Sequence, residues 1–213
     1  LAVVLLLQFM GAEPSNNEEP LSLLYVIILS LVDCTLVLSL VWLLFRVHGE
    51  HPRAILLGAR PVGPEVLLGL ILVPLALLIV GISFTLISRF APTLHNVVEN
   101  PFEALISSPS TAVAFGLVAM LAGGLREEVQ RAFVLHRFEQ HLGGIVTGLI
   151  VFSTIFGLGH LVQGRDAAMV TGLLGALWGL LYITRRSLLA PLTCHALFNM
   201  AEVFIAYSGN SGT

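Results

Sequence analysis

The chain has 213 residues, of which 56% are hydrophobic and only 11% charged, with 13 acidic and 10 basic side chains and a net charge of −3. Soluble domains carry about 25% charged residues, so this composition excludes an ordinary soluble domain and points to a polytopic membrane protein. The acidic balance offers no basic patch for nucleic acid, and Cys34 and Cys194 lie in separate apolar segments that suggest neither a disulfide framework nor zinc.

Continuous apolar runs of about 20 residues cross a bilayer as helices, whereas open strands would leave backbone groups unsatisfied in lipid. The expected fold is therefore all-α, a polytopic transmembrane helix bundle. The opening LAVVLLLQFM reads as the end of a longer helix whose start is cut off, and residues 11–20 as an acidic loop. A first complete span is expected over about 21–45, with Asp33 near its middle. Asp33 reads either as a cavity-lining residue or, preferentially, as a bundle-facing one bonded to a neighbouring helix. Residues 46–65, with Arg46, Arg53, Arg60 and several prolines, mark a loop. The second span, about 66–87, contains Pro74 as an expected kink. Residues 88–110 form a longer connection whose middle, NVVENPFEALI, reads as a surface amphipathic helix or a solvated loop.

The third span starts near Thr111 and runs to about Gln140, so its last turns, with His136, Arg137, Glu139 and His141, should emerge into water as surface residues. Spans four to six are expected over about 144–162, 166–184 and 188–207. The result is six complete spans plus a truncated N-terminal one, divided into N-terminal membrane helices and loops (1–110) and a core of four membrane helices (111–213). Small residues at four-residue spacing, Gly144 with Gly148 and Gly175 with Gly179, would let the core helices approach closely. The arginines of the 46–65 loop, the end of the third span and the 185–187 turn fall on one side, cytoplasmic by the positive-inside rule. The 11–20 and 88–110 segments then face the other side.

The stretch that demands explanation is GGLREEVQRAF, residues 123–133, which places Glu127 and Glu128 in an apolar span. Ionisable residues inside a membrane are costly and usually face a bundle interior or a wet cavity, which makes both glutamates functional candidates. Two histidines share this setting, His160 in STIFGLGHL and His195 in APLTCHALFNM. Glu127 with Arg131, Phe156 with His160, and His195 with Asn199 are all four residues apart, so each pair shares a helix face. Glu127 and His160 are each 16 residues from a turn at Gly143–Gly144, roughly 24 Å along their helices and therefore level. His195 lies nine residues past Arg186, only roughly 13 Å in, and needs tilt or an offset turn to join them.

A carboxylate beside an imidazole can hold a water and take its proton, with burial raising the carboxyl toward working pH. The His195 ring N–H and the Asn199 amide, one turn apart, could supply donors to the oxyanion that a hydrolase must stabilise. Arg131, one turn from Glu127, would hold that carboxylate ionised or fix its rotamer. Two His and one Glu also make a catalytic zinc set, but HExxH is missing and the ligands would come from three helices, so metal-free activation of water, with no cofactor, is preferred. Cys194 directly precedes His195 and cannot pair with it on a helix. The bland alternative is that these groups only join the bundle by interhelical hydrogen bonds.

The glutamate pair followed by Arg, then FGLGH (Phe156 to His160) and HALFN (His195 to Asn199), in that order on successive membrane helices, resembles the CPBP family. That family comprises type II CAAX prenyl endopeptidases and bacterial bacteriocin-processing or immunity relatives. The resemblance covers about residues 111–207 and implies a glutamate intramembrane endopeptidase fold. It implies that the first glutamate and the FxxxH histidine activate water while the HxxxN pair forms the oxyanion site, roles that fall here on Glu127, His160, His195 and Asn199. The family pattern is EExxxR, whereas this chain has EExxR with Gln130 before Arg131. Glu128 therefore stands beside Glu127 as a candidate base, either because the chain is a subfamily variant or because Glu128 and Arg126 share the work.

The expected function is hydrolysis of a peptide bond in a membrane-associated or lipidated peptide or protein, within the lipid bilayer and with no nucleic-acid partner. The expected location is the bacterial cell (inner) membrane. The alternatives are a non-catalytic immunity or scaffold protein of the same family, a zinc-dependent version of the protease and, least favoured, a proton-coupled transporter, for which no repeated or broken helices speak.

Overall fold

A computed structural model describes residues 22–97, 100 and 102–210. The expected truncated N-terminal helix, the acidic 11–20 loop and part of the 88–110 connection lie outside the described residues. Among the described residues the fold is all-helical, with α1 at Leu23–Val47, a short α2 at Pro52–Leu56, and α3 at Val62–Phe90. Two 3₁₀ turns, Pro92–Leu94 and Glu103–Leu105, then lead to α4 at Pro109–Val118. A π-helical segment, Ala119–Arg126, joins α4 to α5 at Glu127–His141. Helix α6 covers Ile145–Leu158, and a 3₁₀ turn at Leu161–Gln163 precedes α7 at Arg165–Arg185 and α8 at Leu189–Asn210.

The helix boundaries follow from local chemistry. Ser108 opens α4 with a capping box, its hydroxyl accepting from the Thr111 N–H while the Thr111 hydroxyl accepts from the Ser108 N–H, and Pro109 occupies the first turn. Gly143 and Gly144, both at φ +93°, make the α5–α6 turn in a region that other residues avoid. Gly144 is thus a turn residue and not a packing partner for Gly148. The expected close approach does occur at Gly175, where an added Cβ would lie 2.8 Å from the Phe156 ring.

Four helices, Leu23–Val47, Val62–Phe90, Arg165–Arg185 and Leu189–Gly209, are long and apolar enough to cross a membrane. The other two expected spans are present as helix but depart from that standard. The third is the continuous run of α4, the π segment and α5, interrupted by charge. The fourth, expected over 144–162, stops at Leu158, since the glycine-rich sequence GLGHLVQG supports helix poorly. His160 accordingly sits just past α6 and not inside a span.

Helix α8 is the centre of the bundle, packing on α3, α4, the π segment and α7. Trp178, Phe45, Leu135 and Cys194 are buried in the core. At one end the connecting segments are fastened by ion pairs. The fully buried Glu65 accepts from Arg185, Arg186 pairs with Glu139 at 2.7 Å, and Glu50 takes His136 at 3.0 Å together with Arg137. His136 and Arg137 are therefore part of this fastening and not merely surface residues. Glu65 was expected in a loop; α3 begins at Val62 and buries it.

Candidate active site

The π segment AMLAGGLR ends where the glutamates begin. Its i→i+5 pattern loosens the backbone ladder, and such segments recur at functional sites. Three of its carbonyls receive side-chain donors: Asn199 Nδ2 reaches Ala119 O at 3.1 Å, Arg126 Nε reaches Ala122 O at 3.0 Å, and Cys34 Sγ lies 3.8 Å from Leu121 O. Gly124 lets α8 close on this backbone, since a Cβ there would sit 2.7 Å from that of Ala196.

Beyond the π segment the two glutamates diverge. Glu128 is almost fully buried and accepts a hydrogen bond from His195 Nδ1 at 2.8 Å, while the same oxygen pairs with Arg131. Glu127 is less enclosed and pairs through Oε1 with Arg126 at 3.0 Å; its Oε2 lies 3.8 Å from His195 Nε2. The imidazole of His195 thus stands between the two carboxylates. Arg126 reaches on to Asp33 of α1 at 3.4 Å, so Asp33 is bonded to a neighbouring helix as preferred from the sequence.

The arginines are assigned differently from the sequence reading. Arg131 was expected to support Glu127 at four-residue spacing, but it pairs with Glu128 three residues away, and Arg126 supports Glu127. Both spacings bring side chains together on a helix, and the surroundings select one. The Arg131 guanidinium lies 4.9 Å from the Phe156 ring centre, 5.2 Å from Phe152 and 5.6 Å from Trp178. This aromatic enclosure contributes cation–π attraction, and the Arg131 Nε and Nη2 have no hydrogen-bond partner among the described residues. Phe156 also meets His160 at 5.0 Å and His195 at 6.1 Å, both edge-on.

The depth of His195 is accounted for by an offset between turns. The Arg186–Glu139 pair shows that the α7–α8 turn lies level with the last turn of α5, short of the α5–α6 turn. From that pair Glu128 is 11 residues up α5 and His195 nine residues up α8, roughly 16 and 13 Å, which brings them together.

A cavity of about 360 Å³ opens above Glu127. Glu127 and His160 both line it, with Arg126, Gln130, Phe152 and Phe156 among the walls. The His160 Nδ1 lies 2.8 Å from the Phe156 carbonyl, which can only accept, so Nδ1 carries the proton and Nε2 is left as an acceptor. His195, Asn199 and Glu128 are absent from the cavity wall. Among the described residues no three His, Cys, Asp or Glu side chains are grouped as metal ligands.

This arrangement can be set beside known proteins. Residues 109–201 match the family described as type II CAAX prenyl endopeptidase Rce1-like. The segment is similar to that family. It starts with α4 and ends within α8, so it contains every candidate site residue. Comparison with curated proteins and with solved structures gives no match.

Arg126, named in the sequence as a possible partner of Glu128, pairs instead with Glu127. Within residues 109–201, two contributors went unnoticed in the sequence. Trp178 stacks on His195 with centroids 3.7 Å apart and planes at 14°, and donates to Cys194 Sγ at 3.4 Å. Gln163 joins the cavity from the turn after His160. Nothing in the spacing of either residue announces its place, because each comes from another helix or turn.

Proposed function

We propose that the protein is an intramembrane endopeptidase that cleaves a peptide bond of a membrane-associated or lipidated substrate, without a metal cofactor, using a water activated by Glu127 and His160. The observation that carries this reading is the shared cavity: Glu127 and His160 line one opening, and the bond of His160 Nδ1 to the Phe156 carbonyl leaves Nε2 as an acceptor. A water held there would lose its proton to Glu127 while its oxygen attacks the substrate carbonyl. As the tetrahedral intermediate collapses, the C–N bond breaks and the proton moves from Glu127 to the leaving amine.

His195 and Asn199 are assigned the oxyanion contacts, on the strength of the family resemblance and of their common helix face. In the present conformation His195 Nδ1 is engaged by Glu128 and one Asn199 amide hydrogen by Ala119 O. The second amide hydrogen of Asn199 is the donor available for that task, and His195 Nε2 joins it as a donor only when the ring is doubly protonated, since Nδ1 carries the proton given to Glu128. Glu128 and Arg131 position His195, and Arg126 holds Glu127 in place.

The test is hydrolysis by the purified protein in detergent of a panel of lipidated and transmembrane-segment peptides. Wild type should cleave at least one, and Glu127→Ala and His160→Ala should not. Cleavage by both variants at the wild-type rate overturns the mechanism. No cleavage by wild type, with partner protection or binding left intact in Glu127→Ala, would favour the scaffold reading.

A further inference from the structure

All ten arginines of the sequence lie within the described residues. Arg46, Arg53, Arg60, Arg137, Arg185 and Arg186 belong to one end of the bundle. There the α1–α3 connection, the end of α5 and the α7–α8 turn are tied together. Arg60 Nε donates to Arg185 O at 2.8 Å, the Leu188 N–H to Leu56 O at 2.8 Å, and the Tyr182 hydroxyl to Ile55 O at 3.0 Å. The opposite end, where α3 stops and α7 begins, carries Arg89 and Arg165. Arg126 and Arg131 are engaged by interior carboxylates. Helix α7 separates the two ends by 20 residues, from Arg165 to Arg185, about 30 Å at the usual rise, the thickness of a bilayer core.

The cavity belongs to the arginine-poor end. Arg126 and Glu127 form its floor, and its rim is made by Phe102 from the α3–α4 connection with His160, Val162 and Gln163 from the α6–α7 turn. This turn is held to the α3–α4 connection by His95 on Asp166 at 2.6 Å and by Asn96, whose side chain accepts from the Arg165 N–H at 2.8 Å. Val162 at the rim is 62% exposed, and Ile155 on the flank is 64% exposed, which leaves the cavity approachable both from the end of the bundle and from its side.

Short cytoplasmic loops of membrane proteins hold the excess of arginine and lysine, and that bias sets orientation. With six arginines at one end and two at the other, we infer that the candidate active site opens toward the non-cytoplasmic side of the membrane. Its substrate is then a polypeptide segment displayed at the outer leaflet or in the adjoining non-cytoplasmic space, and not a lipidated tail on the cytoplasmic face. The identification of this segment as a substrate rests on the peptidase reading, whereas the sidedness of the cavity does not.

The test is cysteine labelling in intact cells that produce the full chain, with a membrane-impermeant maleimide as the probe. Gln163→Cys and Val162→Cys place a thiol at the rim, and Arg53→Cys places one at the exposed opposite end. The wild-type chain, whose Cys34 and Cys194 are buried, gives the background. The rim variants should label in intact cells to the extent they reach after permeabilisation, and Arg53→Cys only after permeabilisation. Labelling of Arg53→Cys in intact cells, or of both rim variants only after permeabilisation, overturns the inference. Peptide hydrolysis in detergent, where sidedness is abolished, tests the peptidase reading separately.

Discussion

His195 donates its Nδ1 proton to Glu128 at 2.8 Å, across the contact between α8 and α5, while its Nε2 faces Glu127 at 3.8 Å. Two adjacent glutamates are thereby given different tasks. One is enclosed with Arg131 and fixes the imidazole; the other remains at the floor of the cavity. A close carboxylate pair in a low-dielectric interior would repel itself, and the arginines on either side separate the two charges.

Glu127→Gln keeps the size of the side chain and can still meet Arg126, but it cannot take a proton. It should lower peptide hydrolysis by about 10²- to 10⁴-fold, the usual contribution of a positioned acid–base group, while leaving the melting temperature near that of wild type. Kinetics on a peptide cleaved by wild type, run beside thermal unfolding in the same detergent, would check both halves of the expectation.

Breaking the Glu128–Arg131 pair should be a stability lesion before it is anything else. Removing one partner leaves a charge uncompensated in a fully buried position, at a cost of about 3–5 kcal/mol, whereas replacing both by apolar residues should cost much less than the sum. Denaturant unfolding of Arg131→Met, Glu128→Leu and the double variant measures the coupling. Additive losses would show that the pair is not a unit.

Trp178 should matter more than its distance from the cavity suggests. Trp178→Ala removes the surface on which His195 stacks and one wall around Arg131, and buried Trp→Ala changes cost about 3–5 kcal/mol. Trp178→Phe should recover much of the stability. A melting temperature unchanged in Trp178→Ala would contradict the packing described for α7 and α8.

The fastening at the arginine-rich end carries its own pH dependence. Burial raises the Glu50 carboxyl, but hydrogen bonds with His136 and Arg137 outweigh it and hold the group below its ordinary 4.5. A depressed folded value means that the contribution to stability is present above the ordinary value and is lost as pH falls through the folded one. Melting temperature should therefore drop on acidification below 4.5, and Glu50→Gln should flatten that part of the profile. An equally steep drop in the variant would remove Glu50 as its cause.

The sequence by itself determined the class of the protein and the residues worth following. Composition required a membrane helix bundle, because so few charges cannot solvate a soluble surface. The boundaries of α1, α7 and α8 fell close to expectation, since long apolar runs ended by arginines or glycines leave little choice. Glu127, Glu128, His160, His195 and Asn199 stood out as polar groups repeated at one-turn spacing in apolar surroundings, and the match over residues 109–201 bears out the resemblance they carried.

Tertiary structure decided what spacing could not. Residues three and four apart share a helix face, so only the aromatic enclosure of Phe152, Phe156 and Trp178 shows that Arg131 serves Glu128. Counting residues from a turn gives depth only relative to that turn, and the Arg186–Glu139 pair supplies the offset that brings His195 level with the glutamates. The π segment leaves little trace in the sequence beyond its two glycines, because its carbonyls are stabilised by donors on α1 and α8. The end of the bundle at which the cavity opens is likewise a property of packed helices, fixed by contacts between segments far apart in the chain.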